Sequence, residues 1–82
     1  MMSPYDAAKL VKKAEPKRTP TYVCDYDPST YVVTALLDPR KPEYDDPFWA
    51  VDKRTGKIRE FSPAGDIAKF GEAMNKRGHK IT

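Results

Sequence analysis

The 82 residues carry 15 Lys or Arg against 12 Asp or Glu, with 39% hydrophobic and 33% charged residues. These values predict one small soluble domain spanning residues 1–82 and exclude a multidomain enzyme. A chain this short buries about 60% of the surface it exposes when unfolded, so a deep substrate cavity would compete with the core for apolar side chains.

The first predicted element is a helix from Pro4 to about Glu15. Ser3 is a suitable N-cap, Pro4 suits the first helical position, and Asp6 completes a Ser-x-x-Asp capping signal. Ala7, Leu10, Val11 and Ala14 recur at helical spacing, and Pro16 stops the helix. Thr21–Tyr26 and Tyr31–Leu37 are rich in β-branched and aromatic residues and flank Asp27-Pro28-Ser29-Thr30, which predicts a hairpin. The second of these runs is apolar on both phases, as a central strand would be. Residues 38–47 hold three prolines and several acids with no apolar period, and are expected to form an exposed loop. Phe48–Asp52 and Lys57–Phe61 flank Lys53-Arg54-Thr55-Gly56 and predict a second hairpin, with Gly56 in the left-handed position. Ser62-Pro63 repeats the N-cap and first-position proline, and Ile67, Phe70, Ala73 and Met74 form an apolar stripe that predicts a second helix. Gly78 reads as its C-cap, and His79–Thr82 as a frayed end.

The order α-β-β-β-β-α predicts an α+β fold: an antiparallel four-stranded sheet with the N-terminal and C-terminal helices on one face. The other face would then display several of Tyr22, Tyr26, Tyr31, Phe48 and Trp49 to water, as a surface for a partner or for self-association. No run approaches the roughly eighteen apolar residues of a membrane span, and the N-terminus lacks a secretory apolar stretch. The lone Cys24 can neither close an intramolecular disulfide nor by itself build a zinc site. A cytoplasmic protein without membrane contact is the expectation.

Charge is segregated along the chain. Residues 1–20 carry a net +3, residues 21–52 a net −5 and residues 53–82 a net +5. The inventory for catalysis is thin. Cys24 lies in a predicted strand and His79 in the tail, so no nucleophile–base pair is expected, and the acidic residues match no cation-binding loop. The reading is therefore a protein that is not an enzyme and needs no cofactor or metal.

Two surfaces carry the functional expectation. Glu43, Tyr44, Asp45 and Asp46, with whichever of Phe48 and Trp49 faces outward, would meet a basic surface of another protein, the charges aiding encounter and the aromatics slowing release. Alternatively, Lys53, Arg54, Lys57 and Arg59 on the second hairpin, with Lys76, Arg77 and Lys80 near the C-terminus, would contact nucleic-acid phosphates.

The segment from Pro47 to Phe61, PFWAVDKRTGKIREF, followed by a short helix, resembles the C-terminal half of the YrhB-like bacterial immunity proteins. Its core, Val51-Asp52-x-x-Thr55-Gly56-x-Ile58, also looks like the hairpin of PepSY-type domains. The immunity resemblance implies a small α+β protein that binds and neutralises a toxin without catalysing a reaction. The expectation is a protein-binding module: an immunity-like inhibitor, a phage or bacterial accessory factor, or a small subunit of an assembly.

Overall fold

A computed structural model describes residues 2–41 and 47–81. The described residues form helix α1 (Pro4–Ala14), strands β1 (Thr19–Asp27), β2 (Thr30–Leu36), β3 (Phe48–Asp52) and β4 (Ile58–Phe61), a 3₁₀ turn (Pro63–Gly65), helix α2 (Ile67–Arg77) and strand β5 (Gly78–Lys80). The strands make one antiparallel sheet in the order β4-β3-β2-β1-β5. The α+β class, the two hairpins and the terminal helices agree with the sequence. Neither helix is long and apolar enough to cross a membrane.

The start of α1 is held as its residues predict. The Ser3 hydroxyl accepts the Asp6 N–H at 3.2 Å, and the Asp6 carboxylate accepts the Ser3 N–H at 2.9 Å. At the other end Lys12 Nζ donates to the Pro16 and Arg18 carbonyls at 2.7 and 3.0 Å, which closes the reversal into β1. The first hairpin turns at Pro28-Ser29, where Asp27 Oδ1 accepts both the N–H and the hydroxyl of Ser29 at 2.9 Å. Strand β1 is longer than predicted, and its pairing with β2 shifts register around Thr21 and around Tyr26.

Two features differ from expectation. The helices cover opposite faces of the sheet. Ala7, Ala8 and Val11 of α1 pack with Val23, Tyr31, Val33, Ala35 and Val51, whereas Ala73 of α2 packs with Cys24 and Val32 and is ringed by Tyr26, Phe48, Phe61, Phe70 and Met74. Adjacent residues of a strand point to opposite faces, so Val32 and Val33 cannot serve one helix layer. A middle strand that is apolar on both phases needs cover on both sides, and each helix supplies one side. The open aromatic face expected for self-association is therefore absent among the described residues.

The C-terminus also departs from a frayed tail. Gly78, His79 and Lys80 pair with Cys24, Val23 and Tyr22 as a fifth strand, and Ile81 N–H donates to the Thr21 carbonyl at 3.0 Å. Helix α2 begins later than Ser62-Pro63, which caps only the 3₁₀ turn. Asp66 caps the helix proper, its carboxylate accepting the Lys69 N–H at 3.1 Å. That start leaves Ile67 68% exposed, outside the stripe of Phe70, Ala73 and Met74.

Candidate interaction surface

The second hairpin is built on Asp52. Its carboxylate accepts the N–H groups of Arg54 and Thr55 at 2.7 and 2.9 Å, its carbonyl accepts Gly56 N–H at 2.9 Å, and its own N–H donates to the Lys57 carbonyl at 2.9 Å. The amides of Thr55 and Arg54 hold the Asp52 carboxyl below its ordinary pKa. Closing the loop needs a left-handed residue, and Gly56 supplies it at φ 75°. The first and second turns are tied together by Lys53. Its N–H donates to the Ser29 carbonyl at 2.9 Å, and its ammonium bonds Asp25 at 2.5 Å while lying 4.6 Å from the Tyr31 ring centroid. The result is a hairpin fixed to the body of the sheet, although β4 itself lies at the sheet edge.

The phase of the ladder follows from the Asp52–Lys57 bond. Hydrogen-bonded and non-hydrogen-bonded pairs alternate along an antiparallel pair, so Lys57, Arg59 and Phe61 bond towards β3. The N–H and C=O groups of Ile58 and Glu60 then point away from the sheet along its open edge. Pro63 has no N–H and limits how far that edge can be extended. Beside it, Thr30, Ala50, Asp52, Lys57, Ile58 and Arg59 line a shallow cleft of about 270 Å³. It lies mainly on the α2 face, because Thr30, Asp52, Ala50 and Arg59 share register rows with Val32 rather than Val33. Helix α2 runs chiefly over β1, and Phe70 carries it onto Phe48 of β3 and Phe61 of β4.

The basic residues singled out from the sequence divide into engaged and unengaged groups. Lys53 is held by Asp25, Lys76 pairs with Glu72 at 3.2 Å, and Arg77 donates to the Asp25 and Tyr26 carbonyls at 2.8 and 3.3 Å. Arg54, Lys57 and Arg59 are exposed, and among the described residues the side chains of Lys57 and Arg59 have no ion-pair or hydrogen-bond partner. Lys80 lies on β5, at the edge opposite β4. The seven cations therefore do not form one patch.

Phe48 and Trp49, adjacent in sequence, lie on opposite faces, and both are half-buried. The Phe48 ring sits 5.0 Å from that of Phe70, and Trp49 packs against the α1-side core. Trp49 Nε1 is buried without a hydrogen-bond partner among the described residues. Glu43, Tyr44, Asp45 and Asp46 lie outside the described residues.

A second depression, lined by Asp25, Tyr26, Asp27, Pro28, Lys53, Lys69 and Arg77, mixes both signs of charge. Lys53 is bonded to Asp25, Arg77 to backbone, and Lys69 Nζ lies 4.7 Å from the Tyr26 ring centroid. Sequence reading missed the engagement of Lys53 and the edge position of β4. The available signal for the edge was the Ser62-Pro63 pair directly after a strand bearing adjacent opposite charges, a composition that edge strands favour. Comparison of the chain with protein families, curated proteins and solved structures gives no match.

Proposed function

We propose that this chain is a non-enzymatic protein-binding module acting in the cytoplasm, with the β4 edge as its contact surface. The observation that carries the reading is an edge strand with no strand on its outer side among the described residues and with a side-chain cleft beside it, anchored to a sheet with helices on both faces. Strand addition at such an edge gives affinity through main-chain hydrogen bonds, and the adjoining cleft gives selectivity. The resemblance of residues 47–61 to immunity proteins supports the same class of activity, with a toxin as the partner. Glu43, Asp45 and Asp46 enter the reading as charge that steers a basic part of the partner before docking, and Tyr44 as an aromatic that slows release. Phe48 and Trp49, half-buried where β3 begins, would firm the base of that contact.

The reading is tested by placing the photo-crosslinker p-benzoylphenylalanine at position 60 on the edge, and at position 75 on α2 as a control, in the native host. A discrete protein adduct from position 60 alone is expected. Equal labelling from both positions, or no adduct from either, would remove the edge as a binding site. Exposure of Arg54, Lys57 and Arg59 on one hairpin favours nucleic acid as the second reading. Salt-sensitive, low-micromolar binding of labelled DNA or RNA, lost on joint replacement of those three residues, would establish it in place of the first.

A further inference from the structure

The chemistry of β4 also selects among protein partners. We infer that this edge accepts an extended acidic segment of a different protein and rejects pairing with β4 of a second copy. The inference rests on the protein-binding reading and adds the class of partner.

Self-pairing is disfavoured residue by residue. Antiparallel addition must join outward-bonding residues to outward-bonding residues, which on β4 are Ile58 and Glu60. If Ile58 pairs with Glu60 of the other copy, Arg59 stands directly opposite Arg59. If Ile58 pairs with Ile58, Arg59 faces Lys57 in both directions. If Glu60 pairs with Glu60, two carboxylates meet at the centre of the contact. Each register places like charges in directly opposed positions, where they destabilise a sheet.

The same residues favour an acidic strand. Lys57 and Arg59 stand two positions apart on the α2 face, so their Cα atoms are separated by about 7 Å along the strand. That is also the repeat between alternate side chains of an added strand, whose carboxylates would meet both cations. Asp52 lines the cleft, but its carboxylate already accepts two turn amides. Between the cations and β2, the small, nearly buried side chain of Ala50 forms part of the cleft lining. Glu60 points to the other face and disfavours acids there, so the preferred segment carries acids on alternate residues rather than in a continuous run.

The test uses the whole protein, ¹⁵N-labelled at low salt, titrated with an acetylated six-residue peptide of alternating Val and Glu and with its Val–Lys counterpart. Saturable amide shifts at Ile58, Arg59, Glu60 and Ala50 are expected with the Val–Glu peptide, with affinity roughly fivefold or more above that for Val–Lys, as two cross-strand charge pairs imply. K57E/R59E should invert the preference. Both side chains are exposed and, among the described residues, unpaired, and retained spectral dispersion will confirm that the variant folds. Equal binding of both peptides, or shifts confined to other surfaces, would overturn the inference. So would a dimer of the unmodified chain in sedimentation that K57E/R59E abolishes. If the Val–Glu peptide fails while position 60 still crosslinks a protein, only the acidic class falls. Absence of any crosslink removes the binding reading itself.

Discussion

A methyl group at Gly78 would collide with the Tyr22 ring and lie 2.5 Å from the Met74 carbonyl oxygen. The backbone there is extended, at φ −83°, so the requirement for glycine is steric and comes from the tyrosine packed over the start of β5. At Gly71, in the middle of α2, nothing lies within 4 Å of the corresponding position. The two glycines therefore predict opposite outcomes. Gly78→Ala should destabilise by about 1 to 3 kcal/mol through overpacking, and Gly71→Ala should stabilise by about 0.5 to 1 kcal/mol through helix propensity. Urea denaturation of the two variants checks both signs, and equal effects would show that β5 is not seated beneath Tyr22.

At the scale of elements, each helix is anchored by its own half of the core. Phe70 is the hub on the α2 side, with ring centroids 5.0, 5.9 and 6.4 Å from those of Phe48, Phe61 and Tyr26. Val11 is fully buried on the α1 side. Phe70 is half-buried, so Phe70→Ala is expected at the lower end of the range for such truncations, about 3 kcal/mol. Because the sheet separates the two sites, Phe70→Ala and Val11→Ala should be additive to within about 0.5 kcal/mol in a double-mutant cycle. A coupling energy above about 1 kcal/mol would mean that the helices share one apolar layer after all. The labelling rate of Cys24, buried under α2 and with its thiol pKa raised by burial, gives an independent readout of that half opening.

For the whole molecule, acid stability depends on carboxylates that the turns and caps use. Asp6 is held below its ordinary pKa of 3.8 by the N–H and hydroxyl of Ser3, and Asp52 by the amides of Thr55 and Arg54. At Asp27 burial pushes upwards, but hydrogen bonds from the Ser29 N–H and hydroxyl outweigh it. All three bind protons less readily when folded. Their contribution is therefore complete above the unfolded value of 3.8 and is lost as pH falls through the lower folded values. The triple variant Asp6→Asn, Asp27→Asn, Asp52→Asn should be less stable than the parent at about pH 6 and should converge on it near pH 2. Urea midpoints across that interval check the prediction, and parallel curves would assign acid sensitivity to other groups.

The sequence by itself determined the elements whose signals are local. Ser3 and Asp6 cap α1 from three residues apart, Asp27 turns the first hairpin through Ser29, and Gly56 admits the one left-handed residue of the second. Such contacts depend on near neighbours, so residue type and spacing suffice to read them. The two-sided apolar character of β2 even contained the reason for cover on both faces, although helix order alone could not reveal which face each helix takes. Only the tertiary structure decided the rest. Gly78–Lys80 becomes a strand because Tyr22–Cys24 offers it an edge, and three residues carry too little periodicity to announce a strand. Lys53 is removed from the basic set by a carboxylate 28 residues away, and Arg77 by a carbonyl 52 residues away. Among the described residues, Lys57 and Arg59 stay unengaged because strand order puts β4 at the rim, with β3 on one side and no strand on the other. Whether a charged side chain is structural or available depends on what the fold carries to it from elsewhere in the chain, and residue type does not record that.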